Sequence, residues 1–293
     1  MKYALFLGCS VPVRGINYEL SVREISKVLG IELVDIPEFT CCGFPTKSVK
    51  IDSQMLMSAK NISIAEEKGL DIVCLCSACS VTLTETLKEI KEHKDIRDKI
   101  NDELKTLGFK PVEGKIKIRH FARVLFEDIG IEKIKEKIVK PLTGFSIAAH
   151  YGCHYFKPSE AYDHWEDPEN PKSLDELIKV TGAESTKYSY RNQCCGGAIL
   201  GVDKNLAYKM TYEKLQRINE QKADAMVLFC TFCSIMYEGN QKAILKEFEA
   251  DFNMPVLYIT QLLGLAMGIS PDTLGFKLNR IRPKEFLQKF EQI

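Results

Sequence analysis

The chain has 293 residues, 45% hydrophobic and 27% charged, with 40 Lys and Arg against 40 Asp and Glu. That length predicts two domains and a core large enough to need no disulfide staples, and the even charge gives no global argument for nucleic acid or an anionic membrane surface as partner. No window offers 18 consecutive apolar residues for a membrane span, and "MKYALFLGCSVPV" lacks the apolar core of a signal peptide, so a cytoplasmic location is expected, where eleven cysteines suit metal binding or catalysis better than disulfides.

Along the chain, "KYALFLGC" is a short apolar run ending at Gly-Cys, and "NYELSVREISKVLG" has helical spacing. "IELVDIP" reads as a strand and leads to "FTCCGFP". "DSQMLMSAKNISIAEEKGL" reads as a helix, and "DIVCLCSAC" as an apolar strand closing on C-x-x-C. "IKIRHFARVLFEDIG" is a strand followed by an apolar helix. After the charge run, Pro and Gly of "IEKIKEKIVKPLTG" the order repeats. "FSIAAHYGC" answers the first strand, "ESTKYSY" and "NQCCGGA" answer the second strand and the cysteine pair, and "VDKNLAYKMTYEKLQRINEQKA" answers the helix. "DAMVLFCTFC" and "VLYITQLLGLAMGIS" complete the second copy. Two copies of one unit, 1–140 and 141–293, are therefore expected. The apolar runs do not alternate, which suits strands buried on both faces of a parallel sheet. The fold class is α/β, two pseudo-symmetric units, each a small parallel-type sheet with flanking helices and its site at the strand carboxyl ends.

Each unit carries five cysteines in one pattern: Cys9, Cys41, Cys42, Cys76 and Cys79, then Cys153, Cys194, Cys195, Cys230 and Cys233. The gaps are 31 and 33 residues in the first and 40 and 34 in the second. Adjacent cysteines strain a mutual disulfide, and five is odd. Structural zinc takes four ligands and would leave one thiol over. An ordinary cubane cluster also takes four. An iron–sulfur centre that uses all five leaves none, and soft thiolates select such clusters. Gly43 and Gly196, after each pair, suit a tight turn at positive φ. Cys74 has Leu228 as its counterpart and reads as a core thiol.

The doubled pattern resembles the CCG-domain family over nearly the whole chain. With two units and no added ferredoxin segment, it is similar to the B subunits of soluble heterodisulfide reductases of methanogenic archaea. The resemblance implies one non-cubane [4Fe-4S] cluster per unit on those ten cysteines. It also implies a catalytic subunit reducing the coenzyme M–coenzyme B heterodisulfide in methanogenesis. The implied partners are two further subunits, one ferredoxin-like and one flavin-containing and electron-bifurcating, fed by a hydrogenase or formate dehydrogenase. A disulfide needs two electrons, and two facing clusters could supply one each.

Arg14, Lys47, Lys157 and Arg191 lie near the cysteine motifs and are candidates for binding the anionic groups of such a substrate; the plain reading of each is a solvated surface charge. His154, next to Cys153, is a candidate proton donor, or simply a structural histidine. His120 is read as structural, with Thr260 as its counterpart. The insertion "KPSEAYDHWEDPENPKS" (157–173) holds the single tryptophan, Trp165, and reads as a surface loop, or else as a lid or partner contact. Two other readings stay open. One is an iron–sulfur electron-transfer subunit of a hydroxy-acid oxidase or of a sulfur-oxidising heterodisulfide-reductase-like complex. The other is a passive electron wire or scaffold.

Overall fold

The computed structural model describes residues 1–293. The first half runs β1 (Lys2–Phe6), α1 (Val11–Arg14), α2 (Ile16–Leu29), β2 (Glu32–Asp35), α3 (Ile51–Glu67), β3 (Asp71–Cys74), α4 (Ser77–Glu92), α5 (Lys94–Thr106), β4 (Ile118–His120) and α6 (Phe121–Arg123). A π-helical turn at Val124–Ile129 and α7 (Ile131–Lys135) follow. The second half runs β5 (Ser146–Ala149), α8 (Ser173–Lys179), β6 (Glu184–Thr186), α9 (Lys204–Glu220), β7 (Ala225–Leu228), α10 (Thr231–Ser234), a π-helical turn at Ile235–Gly239, α11 (Gln241–Glu247), β8 (Val256–Tyr258), α12 (Ile259–Ala266) and α13 (Lys284–Glu291).

The strands form two parallel four-stranded sheets with one topology, β2-β1-β3-β4 and β6-β5-β7-β8. The central strands β1, β3, β5 and β7 are buried along almost their whole length, as apolar runs without alternation require. The edge strands β2 and β6 stay partly exposed. Strand order reverses between β1 and β3 and between β5 and β7, which opens a crevice at the carboxyl ends of those strands.

The two sheets superpose in register. Cys74 lies beside Phe6 and His120, and Leu228 lies beside Tyr258. The backbone N–H of His150, one residue past β5, donates to Val227. His150 therefore stands where the first half has Phe6, and Tyr258 where it has His120. This corrects the pairing of His120 with Thr260: strand register, not the helical run after it, sets the equivalence. His120 is buried and structural. Its Nδ1 accepts from the Ala122 N–H at 3.1 Å, and its Nε2 lies 3.2 Å from the Phe229 carbonyl.

One cluster of 80 buried hydrophobic residues runs through both halves. Helix α2 of the first half packs on α12 of the second, with Tyr18 and Tyr258 stacked at 4.1 Å and the Ser21 and Thr260 hydroxyls 2.6 Å apart. Insertion 157–173 is more than a surface loop. Ala161 and Tyr162 pack with Val81 of α4, and Trp165 stands edge-on to Phe126 and Tyr155 beneath the Arg123 guanidinium. It straps the second half onto the first. No helix is long and apolar enough to cross a membrane.

Candidate functional site

All ten patterned cysteines lie at the carboxyl ends of the sheets. Cys9 and Cys153 follow β1 and β5, and Cys76 and Cys230 sit at the N-termini of α4 and α10, just past β3 and β7. Cys79 and Cys233 follow within the first turn of those helices. The paired cysteines lie in the loops after β2 and β6. The turn after each pair needs glycine twice over. Gly43 has φ 88° and Gly196 φ 82°. A Cβ there would come within 2.9 Å of the carbonyl oxygens of Gln54 and Ala207, on α3 and α9. The same helices then fix the pair. Ser58 Oγ donates to the Cys42 carbonyl at 2.7 Å, and Thr211 Oγ1 to the Cys195 carbonyl at 2.8 Å. The N–H groups of Gly43 and Gly196 point at the Cys41 and Cys194 sulfurs, each at 3.4 Å.

The thiols form a continuous row. Cys41 neighbours Cys42, Cys42 neighbours Cys79, and Cys79 neighbours Cys76. Cys76 then meets Cys230 of the other half. From there the row passes through Cys233, Cys195 and Cys194 to Cys153. Cys9 is exposed at the opposite end. Negative charge concentrates within the row. Cys42 is held below the thiol range beside Cys41 and Cys79, and Cys194 beside Cys153 and Cys195. Cys76 is held well below the thiol range beside Cys230 and Cys79, at the start of α4. Cys74 takes no such part, and burial pushes it up, as a core thiol should be. No three His, Cys, Asp or Glu side chains converge as the ligands of a single ion would.

The cysteine-rich domain profile, CCG, matches residues 3–84 and 147–238, one match in each half. The chain belongs to the CCG family. The CCG chain is 40% identical over 282 residues to a protein of Archaeoglobus profundus described as like the B subunit of heterodisulfide reductase, covering 94% of this chain and 93% of that one. It is 35% identical over 296 residues to the B subunit of the ferredoxin:CoB-CoM heterodisulfide reductase of Methanosarcina mazei, covering 100% and 98%. A solved structure of a hypothetical protein from Helicobacter pylori shares the fold, with a TM-score of 0.77 at 16% identity over 96% of this chain and 52% of that one.

Family membership implies an iron–sulfur cofactor, and the residues present fit one. The donors are soft thiols, and three of them, Cys42, Cys76 and Cys194, are held below the usual thiol range by their neighbours. Gly8 and Gly152 leave room beside the sulfurs, since a Cβ would meet Cys79 Sγ at 2.8 Å and Cys233 Sγ at 3.4 Å. A buried polar atom, His150 Nε2, has no partner.

A small cavity between the CCG units is walled by Phe44, Phe232, Ala198, His154, Cys153 and Cys230. His154 is half-buried, with Nδ1 3.5 Å from Cys153 Sγ, its ring against Phe44, and burial holding it below the usual imidazole range. The four basic candidates do not gather there. Arg14 is exposed and lines a separate cleft with Ser234 and Glu238. Lys47 pairs with Glu85 at 2.5 Å on the rim of a cavity of about 540 Å³ between α3 and α5. Lys157 lies exposed over the Phe156 ring. Arg191 pairs with Asp175 and stacks on Tyr151. Reading the sequence alone missed Phe44, Phe232, His150 and Lys214. His150 carried a signal, being a polar residue at the end of an apolar strand whose counterpart ends in Phe6.

Proposed function

We propose that this chain is the catalytic iron–sulfur subunit that reduces the coenzyme M–coenzyme B heterodisulfide to its two thiols. Two four-iron, non-cubane clusters would be held by Cys9, Cys41, Cys42, Cys76 and Cys79, and by Cys153, Cys194, Cys195, Cys230 and Cys233. The observation that carries the reading is the cavity that Phe44, Ser77 and Ala78 of the first half line together with Cys153, Cys194, Cys195, Cys230 and Cys233 of the second, which brings the two five-thiol sets from separate sheets to one place. Likeness to the B subunits of heterodisulfide reductases along nearly the full chain supports the substrate.

The overall change is one disulfide plus two electrons and two protons giving two thiols. Bound clusters would supply electrons one at a time. The protein's own residues do the rest. Phe44 and Phe232 wall the space between the sets and exclude water. His154, on the same wall, is the candidate to donate a hydrogen bond to a product sulfur. Lys157, free of an ion pair, is the remaining candidate cation for the substrate's anionic groups; Arg14 is also unpaired but lines a separate cleft. We assign the electron supply to ferredoxin-like and flavin-containing partner subunits, with a hydrogenase or formate dehydrogenase upstream.

The test is anaerobic purification with iron, zinc and acid-labile sulfide measured on one sample, then electron paramagnetic resonance with coenzyme M thiol. About eight irons and eight sulfides per chain, and a signal perturbed by the thiol, support the reading. Stoichiometric zinc without sulfide overturns it.

A further inference from the structure

The two thiol sets are alike in ligands and unlike in what lies beneath them. Ser58 and Thr211 make the same bond to their cysteine pairs, so the residue one turn on, Asn61 in α3 and Lys214 in α9, occupies one position twice. Asn61 is a neutral clamp. Its amide nitrogen donates to the Cys41 carbonyl at 3.3 Å, and its oxygen accepts from the Thr40 N–H at 2.8 Å. Lys214 is fully buried. Its Nζ lies 2.5 Å from the Gln193 carbonyl, 3.0 Å from the Arg191 carbonyl and 3.2 Å from His150 Nδ1. Those three acceptors match the three hydrogens of an ammonium. Burial lowers its pKa, and three acceptors around one nitrogen hold it as the ammonium.

This bonding fixes the histidine. With Nδ1 accepting from Lys214, the ring proton of His150 sits on Nε2. That atom is buried and unpartnered. A Cβ on Gly152 would lie 4.0 Å from it and 3.4 Å from Cys233 Sγ, so both atoms flank one spot. The first half has Phe6 here and nothing to donate. The titratable groups that act on Lys214 are the thiols of the second set itself, Cys233, Cys195, Cys194 and Cys153; Arg191, whose carbonyl it bonds, is paired with Asp175.

We propose that Lys214, through its buried charge and through His150, makes the second thiol set the more electron-accepting of the two, so that an electron delivered to the chain rests there. The inference rests on the reading that both sets hold clusters. Reduction adds one negative charge to a cluster, and net charge and hydrogen bonds to sulfur set cluster potentials. A fixed buried cation and an imidazole N–H on one side only, beyond the backbone N–H groups that both sides share, therefore separate two centres with the same ligands. Lys214 acts as a positioning residue and touches no substrate.

The test is a redox titration followed by electron paramagnetic resonance on purified protein: wild type, Lys214→Met, Lys214→Arg and His150→Phe. Lys214→Met should make one of the two centres at least tenfold harder to reduce, a fall of about 59 mV for one electron, and leave the other unmoved. Lys214→Arg should restore most of the difference. In a Cys195→Ala background, which retains only the first set, Lys214→Met should move nothing. If Lys214→Met does not hold iron, His150→Phe decides, with the same centre falling in the same direction. Iron-loaded variants with both midpoints unchanged overturn the inference and leave the proposed function standing. Wild type without iron and sulfide overturns both.

Discussion

At Gly43 the backbone takes a left-handed turn, and the place a side chain would fill is already occupied by the Gln54 backbone. Gly43→Ala and Gly196→Ala should each cost about 2 kcal/mol or more, read as a lower unfolding midpoint together with lost iron binding. Glu238 is a second residue with a measurable consequence. Burial raises its carboxyl to about 7, against about 4.3 in an unfolded chain. The folded state thus holds this proton more tightly, and that contribution is present in full below about pH 4 and is lost as pH rises through about 7. Glu238→Gln should therefore gain stability over wild type between about pH 5 and pH 8, by on the order of 3 kcal/mol. Urea unfolding at both pH values checks it, and a difference that does not change with pH refutes it. At this scale the cysteines and their glycines were legible because fixed spacing between strand ends encodes them. Lys214 was not, because a lysine in a helical run gives no sign that the loop at 191–193 will close over it.

The elements followed their patterns. "NYELSVREISKVLG" became α2 and "VDKNLAYKMTYEKLQRINEQKA" became α9, within a few residues at each end. "ESTKYSY" did so only in part: Glu184–Thr186 pair with β5, and the chain then leaves the sheet edge toward the cysteine pair. The insertion misled for a physical reason. Its prolines and acids mark a loop, but the groove that receives Trp165 is made by Phe126 and Arg123 from the other half of the chain. Trp165→Ala should cost about 2 kcal/mol. The single tryptophan also provides the readout: in Arg123→Met its fluorescence should shift to the red as the strap loosens. Asn279 is a comparable joint between halves. It accepts from Asn17 at 3.2 Å and from Gln261 at 2.9 Å, and donates to the Val256 carbonyl at 2.9 Å, all buried. Asn279→Ala leaves those partners unsatisfied and should lose about 2 kcal/mol in urea unfolding.

For the whole molecule, the repeat predicted two like sheets but not how closely their thiols meet, because contact between Cys76 and Cys230 depends on packing across the pair. If each set supplies one of two electrons, losing either should abolish turnover. Cys42→Ala and Cys195→Ala should each show no disulfide reduction while the other set keeps its iron, and full activity in either would sink the two-centre reading. The common core and the crossing of α2 onto α12 carry one more consequence. Proteins that pair two redox groups across separate polypeptides depend on concentration and correct assembly to bring one of each together. Here both halves leave the ribosome on one polypeptide and fold around the same interior, so their one-to-one ratio is set by translation and does not change on dilution.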